Sequence, residues 1–357
     1  MKASLRQAAP SPQSSSRPCV GYRPHPKAPS SGQHPRRQFL HLAAGAAVLP
    51  AVSRIAWAQA YPTRPVRLLV PYTPGGPTDT FARLIAQKLS ERLGKQFYVD
   101  NVAGAGGNIG IAQAARSTAD GNTLLIAYNS YAVNPSIFAK IPYDPNKDFD
   151  PVTLAVASTN VLVVNPSVPA KTVNELVALI RANPGKYIYA HGGVGSATHL
   201  VGEKFRLSLG LDIVPVPYNN GGPATTAVVA GHIPIGFNPV IPAVPQIEEG
   251  KLHALAVTSK TRSRSLPNVP TMAEAGYADI WGDSWVGVLV PAGTPKSIIA
   301  LLNREIVGSI AHPDMNKRLV TLGFDPVGSA PEQFAEQIKL EIETWGKVIR
   351  AANIRMQ

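Results

Sequence analysis

Short apolar runs and helix-spaced apolar positions alternate along most of the chain, separated by turns rich in glycine and proline. Val66 to Val70 is a largely apolar run bounded by prolines, the length and flanks of a buried strand. Pro-Gly-Gly-Pro follows, then Phe81, Leu84, Ile85, Leu89 and Leu93 at the spacing of one helix face. The unit recurs: Phe97 to Val99 predicts a strand, Gly104 to Gly107 a glycine loop, Asn108 the cap of a helix running toward Arg116, and Leu124 to Ala127 the next strand. Thr172-x-x-Glu175 is a capping box, Tyr187 to Ala190 a strand and Ser196 to Leu209 a helix. Ile213 to Val216, Ile233 to Phe237 and Leu252 to Val257 are further strands. Thr294-Pro295 and Ser329-x-x-Glu332 each predict a helix start, the second with Phe334, Ile338, Ile342, Trp345 and Ile349 facing inward. Strands alternating with helices predict an α/β fold, with ligands at the carboxyl ends of the strands. No repeat of fixed period is visible, and the proline-rich stretches Ile141 to Pro151 and Pro267 to Pro270 read as surface connections.

The first 58 residues differ in kind. They hold eight basic residues and no acidic one, so of the formal +12 only +4 belongs to the remainder. A charge concentrated in a removable leader cannot form a phosphate-tracking face on the folded body, and a nucleic-acid partner is not expected. Residues 1 to 35 are rich in Pro, Ser and Arg; Arg36-Arg37 then precedes an apolar stretch, Leu42 to Val52, that ends at Ala56-Trp57-Ala58. Basic flank, short apolar core and A-x-A site in that order read as a twin-arginine-like export signal cleaved before Gln59. The apolar stretch is short of the roughly 20 residues needed to span a bilayer. Ala227 to Ile247 has no charged residue, but Pro234, Pro239, Pro242 and Pro245 exclude a membrane helix there. The single cysteine, Cys19, lies in the leader, so a thiolate nucleophile, a Cys-ligated zinc and an intrachain disulfide are excluded for the mature body.

Three polar loops carry the candidate chemistry, each following a strand and preceding a helix. In VPYTPGGPTD (Val70 to Asp79), Gly75 and Gly76 let backbone approach a ligand, and Thr78 or Asp79 caps the next helix. Asp79 can also occupy the same amides itself. A branched residue at Gly76 is expected to restrict the backbone and fill ligand space. HGGVGSATHL (His191 to Leu200) and YNNGGPATT (Tyr218 to Thr226) add Ser196, Thr198 and Thr225 to amides that suit an anion. Enzyme signatures are missing. Ser196 lacks a nucleophile elbow and a base, and GAGGNIG (Gly104 to Gly110) has Ile109 where a dinucleotide fingerprint needs its third glycine. No Gly-Lys pair continues as a P-loop, and His191, His199, His232 and His253 have no metal-ligand spacing. Trp281 and Trp285 read as core packing. No enzyme, cofactor or metal is expected.

The ordered segments VPYTPGGPTDTFAR (Val70 to Arg83), NVAGAGGNIG (Asn101 to Gly110), IPYDPNKDFDPVT (Ile141 to Thr153), GKYIYAHGGVGSATHL (Gly185 to Leu200), VPYNNGGPA (Val216 to Ala224) and VPTMAEAGY (Val269 to Tyr277) resemble the Bug family, the receptors of tripartite tricarboxylate transporters. The resemblance covers essentially Tyr61 to Gln357. It implies a periplasmic-binding-protein type II-like fold with two α/β domains, a ligand cleft between them and crossing hinge strands near Pro151 to Asn165 and Trp281 to Pro291. Residues 59–156 and 286–357 would form the first domain and 157–285 the second. It further implies a monomeric periplasmic receptor for a small organic carboxylate, delivering it to transporter membrane subunits or, in a second reading, reporting it to a sensor protein. By motif, Tyr72 and Gly75, Gly76, Thr78 and Asp79 carry over as the first-domain site. Ser196 and Thr198 with the Ala224-Thr225 helix start form the second-domain site, and Asn129 and Ser130 are rim contacts. The sequence departs from the family where Tyr218-Asn219-Asn220 replaces Tyr-Lys-Gly and Ala227 replaces an Asp.

Overall fold

Residues 61–356 are described by the computed structural model; the expected leader and its cleavage point lie outside the described residues. Strand β1 (Val66–Val70) leads through the glycine turn into α1 (Pro77–Leu93), then β2 (Phe97–Asn101), α2 (Asn108–Ala115), β3 (Thr123–Tyr128), α3 (Ser130–Ile137) and β4 (Phe149–Ser158). A second set follows: β5 (Asn160–Val164), α4 (Val173–Ala182), β6 (Tyr187–His191), α5 (Ala197–Ser208), β7 (Ile213–Pro217), α6 (Gly221–Val229), β8 (Ile235–Pro239), α7 (Val240–Glu248) and β9 (His253–Val257). The chain ends with β10 (Ser284–Pro291), α8 (Lys296–Ala311), α9 (Pro313–Thr321), β11 (Asp325–Pro326) and α10 (Pro331–Ala351).

These strands form two mixed sheets, ordered β11-β4-β10-β3-β1-β2 and β7-β6-β8-β5-β9. In the first, β1 lies parallel to β2 and β3, while β10 runs antiparallel to β3 and β4. In the second, β6 lies parallel to β7 and β8, while β5 runs antiparallel to β8 and β9. Both sheets follow one plan: three parallel strands ordered second-first-third, an antiparallel strand, then a fourth. The antiparallel member follows its three partners in the first sheet and precedes them in the second, so no sequence period exposes the repeat. The chain passes between the sheets at Thr159 and again over 258–283.

The inner parallel strands β1, β3, β6 and β8 are buried on both faces, as their apolar runs require, while the edge strands β2 and β7 are partly exposed. Val66, Leu68 and Val70 meet Phe81, Ile85 and Leu89 of α1, while Leu69 faces Ile111, Tyr131 and Phe334 on the other side. Gly287 in β10 is bare because the Phe334 ring occupies the space of a side chain. Helix α10 then runs past its own sheet: Trp345, Val348 and Ile349 pack with Val133 and Ile137 of α3 and with Leu200 of α5. One apolar cluster thus joins elements of both sheets beside the loops at their strand ends.

Some boundaries differ from the sequence reading, each for a local reason. The Thr172 box forms, its hydroxyl accepting the Glu175 amide at 3.2 Å. The last helix starts at Pro331, not Ser329, because Ser329 Oγ is taken by the Leu154 amide and Gln333 caps Ala330 instead. Phe149 to Pro151, read as surface connection, opens β4, where Pro151 pairs with Leu289. Asn108 is no cap; its side chain is buried between Asn134 and Tyr143.

Candidate functional site

The loops after β1, β3 and β6 face one another across a cleft of about 470 Å³. One wall is Tyr72, Thr73, Gly106, Gly107, Asn129 and Ser130; the other is Gly192 to Ser196 with Asn219, and Met356 reaches the rim. A neighbouring chamber of about 280 Å³ shares Tyr128 and is lined by Gly75, Pro77, Thr80, Pro239, Ile241 and Trp285 among others. The walls of the larger cleft contain no Asp, Glu, Lys or Arg. Its polar groups are backbone amides, hydroxyls and carboxamides, groups able to hold a small anion by hydrogen bonds and helix-end dipoles without an opposing charge.

Tyr72, Asn129, Ser130 and Ser196 are brought together in this cleft. The Tyr72 hydroxyl bonds the Ser130 hydroxyl, and its ring meets Tyr128 edge-on with centroids 6.1 Å apart. Burial raises the Tyr72 pKa, with the nearby Tyr128 adding and the Ser130 bond opposing, so the phenol stays neutral. Asn129 is buried with its Oδ1 unpartnered, the one cleft side chain with a buried polar atom lacking a hydrogen bond among the described residues. Ser196 is the N-cap of α5; its Oγ accepts the His199 amide and donates to Gly193 O at 2.7 Å.

Seven expected site residues stand behind or beside the cleft surface. Gly75 lines the neighbouring chamber, with φ +85°. Gly76 is the N-cap of α1 at φ −78°, ψ 173°, a conformation open to any residue, and a side chain there meets only ordinary contact with Thr73 O. The backbone restriction expected at Gly76 therefore falls on Gly75. Thr78 is buried in the first turn of α1. Asp79 turns inward: it accepts the Gly75 amide at 2.9 Å, two Arg83 bonds and Asn101 Nδ2 at 3.0 Å. Burial opposes the Asp79 charge, but these partners outweigh it and hold its pKa below the usual carboxylate range.

In the second wall, Thr198 is buried and its Oγ1 accepts the Gly192 amide at 2.9 Å, shaping the loop from beneath. Helix α6 begins at Gly221, capped by Asn220, so Ala224 and Thr225 lie within the helix rather than at its start. Both are buried, and Thr225 Oγ1 accepts Asn238 Nδ2. Sequence reasoning missed Gly106 and Gly107: GAGGNIG fails as a dinucleotide loop, yet its glycines at a helix start were the signal for a cleft wall. Asn219, where the family pattern has Lys, also lines the cleft. Met356 carried no signal, because a tail reaching the rim depends on how α10 docks.

Trp285 is core, its Nε1 donating to Glu341 Oε2 at 2.9 Å, and Trp281 stands against Trp345 with centroids 5.6 Å apart. Among the described residues no group of His, Cys, Asp and Glu could hold a metal, and no helix is long and apolar enough to cross a membrane.

Two mixed α/β sheets of one plan, joined by crossing strands and facing a shared cleft, define a solute-binding receptor. Residues 81–354 match the family described as the tripartite tricarboxylate transporter family receptor, and the chain belongs to that family. BugT of Bordetella pertussis is 37% identical over 302 residues, 84% of this chain and 93% of its own. An R. palustris protein solved with adipate is 34% identical, covers 83% of this chain and 100% of its own, and superposes with a TM-score of 0.68. MatC from Rhodopseudomonas palustris, solved with bound malate, is 32% identical over 81% of this chain and 100% of its own, with a TM-score of 0.64. Family and fold are those of periplasmic substrate-binding receptors, not of enzymes.

Proposed function

We propose that this chain is exported, cleaved before Gln59, and captures a small organic carboxylate between two lobes for delivery to the membrane subunits of a tripartite tricarboxylate-type transporter. The observation that carries the reading is the uncharged cleft walled by helix-start loops of both sheets. Solved relatives that hold adipate and malate support the ligand class. The lobes are residues 59–156 with 286–357, and 157–285, closing about the crossings.

Contacts from both lobes link binding to closure, since a ligand shifts the open–closed balance only through groups that meet it in the closed form. Amides and hydroxyls supply neutral donors, each worth on the order of 0.5–1.5 kcal/mol, and orientation at the helix ends adds charge assistance. Tyr72, Asn129, Ser130 and Ser196 contact the ligand directly. Thr78, Asp79, Thr198 and Thr225 hold the loops, and the glycines give the backbone its approach.

Native mass spectrometry of the periplasmic protein, followed by calorimetric titration with adipate, malate and related acids, tests the reading. A retained carboxylate, bound about two- to twelve-fold more weakly by Ser196→Ala, supports it. A protein that binds none of the acids, or converts one, contradicts it.

A further inference from the structure

His191 ends β6 and His199 lies in the first turn of α5, and their rings stack with centroids 4.1 Å apart and planes 16° apart. Both are buried, 1% and 5% exposed, directly behind the cleft loop Gly192 to Ser196. The Gly195 amide donates to His199 Nδ1 at 3.1 Å. An amide only donates, so this ring nitrogen holds a lone pair and the proton of the neutral ring sits on Nε2. His191 Nδ1 lies 3.3 Å from the Gly193 amide and 3.1 Å from its carbonyl, and that carbonyl already accepts from the Ser196 amide and hydroxyl. Gly193 and Gly195 have φ +117° and +76°. Glycine visits many conformations at little cost, so local preference does not select this loop shape; Thr198 and Ser196 hold its Gly192 and Gly193 end, and the His199 imidazole holds its Gly195 end. The loop's outer face matters to closure: a side chain at Gly195 would meet Ile137 of α3, on the opposite wall, at 2.7 Å.

We propose that His199 is the positioning residue of the second cleft wall, and that its imidazole, braced by His191, couples ligand retention to protonation at Nδ1. This rests on the reading of the cleft as a carboxylate site. A proton on His199 Nδ1 would turn the acceptor into a donor facing the donor Gly195 amide. The loop would then leave the shape that presents its amides, and ligand would be released as pH falls.

The groups bearing on the stack come from two elements. From α5, Glu203 favours the cations and Arg206 opposes the His199 cation; the two are paired at 2.6 Å. From β6, the Tyr189 ring lies 5.8 Å from His191 and its hydroxyl donates to Glu203 at 2.8 Å. Burial first, then the neighbouring His199, pushes His191 down to about 4. Burial likewise lowers His199, with Arg206 adding and Glu203 opposing. Both rings are therefore neutral at pH 7, and two cations so close disfavour each other, so they protonate in succession.

The test uses the mature protein labelled with nitrogen-15 in histidine, titrated from about pH 8 to pH 4, with amide exchange followed at Gly195. We expect an unprotonated His199 Nδ1 at pH 7 and loss of Gly195 protection in step with imidazole protonation. His199→Asn offers an acceptor at similar reach, whereas His199→Phe keeps a ring without one. With adipate and malate as probes, His199→Asn should bind within about twofold of wild type and His199→Phe about tenfold more weakly. Both variants should lose the part of the acid-side fall in affinity that exceeds protonation of the probes themselves. A protonated Nδ1 at pH 7, or equal binding by the two variants, overturns the proposal. If wild type binds neither probe, the carboxylate reading fails, while the imidazole and exchange data still decide the role of His199.

Discussion

The Asp79 carboxylate accepts the backbone amide of Gly75 at 2.9 Å, and so the acidic residue of the first glycine loop fixes the loop rather than facing the cleft. Asp79 is 3% exposed and has further bonds from Arg83 and Asn101. Removing it takes a charged acceptor from the Gly75 amide, Arg83 and Asn101 at once. Asp79→Ala should lower unfolding stability by about 1–3 kcal/mol, read by denaturant titration. Its lowered pKa sets the pH sense: the carboxylate's contribution is complete above its unfolded value of 3.8 and is lost as pH falls through the lower folded value. The gap between Asp79→Ala and wild type should accordingly close in strong acid.

The adjacent glycines separate backbone strain from ligand space. Gly75 has φ +85° and open space beyond its Cα, whereas Gly76 has φ −78°. Gly75→Ala should cost about 1–2 kcal/mol through the left-handed backbone alone. Gly76→Ala should be near neutral. Thermal unfolding of the pair distinguishes this assignment from one in which Gly76 carries the constraint.

The elements of this molecule were legible where local chemistry decides them. The run Val66 to Val70, the helix spacing of Phe81 to Leu89 and the Thr172 box each declare their element in their own residues, even though the strand is completed by pairing with β2 and β3. What failed was set by partners far along the chain. Ser329 begins no helix because Leu154 claims its hydroxyl, and Pro151 enters β4 because Leu289 is there to pair with it. The three loops of the site were likewise visible, but which side chains face the cleft was not. Asp79 and Thr198 satisfy their own loops, an outcome that depends on Asn101, Arg83 and the Gly192 amide arriving in place. Gly106, Asn219 and Met356 join the cleft only through the packing of the two sheets and α10.

Beside the second crossing, Asp283 Oδ1 accepts the Thr258 hydroxyl at 3.1 Å. Burial pushes its pKa up to about 7, with Asp325 and Glu341 adding and the Thr258 and Asn160 bonds opposing. A folded value above the unfolded 3.8 means that the protein binds this proton more tightly when folded. The contribution is complete below pH 3.8 and is lost as pH rises to about 7. Asp283→Asn should therefore match wild type in Tm near pH 4 and exceed it at pH 8, a difference read by parallel melts across that range.

The central claim is that an anion sits in a cleft whose walls contribute no charge. Asn219 is exposed and lines the cleft, so its charge can be changed with little effect on folding. The most direct measurement is calorimetric titration of wild type, Asn219→Lys and Asn219→Asp with the retained carboxylate at low ionic strength. The account predicts tighter binding by Asn219→Lys and weaker binding by Asn219→Asp, on the order of fivefold each way and shrinking with added salt. Equal affinities across the three proteins, or the reverse order, would contradict it.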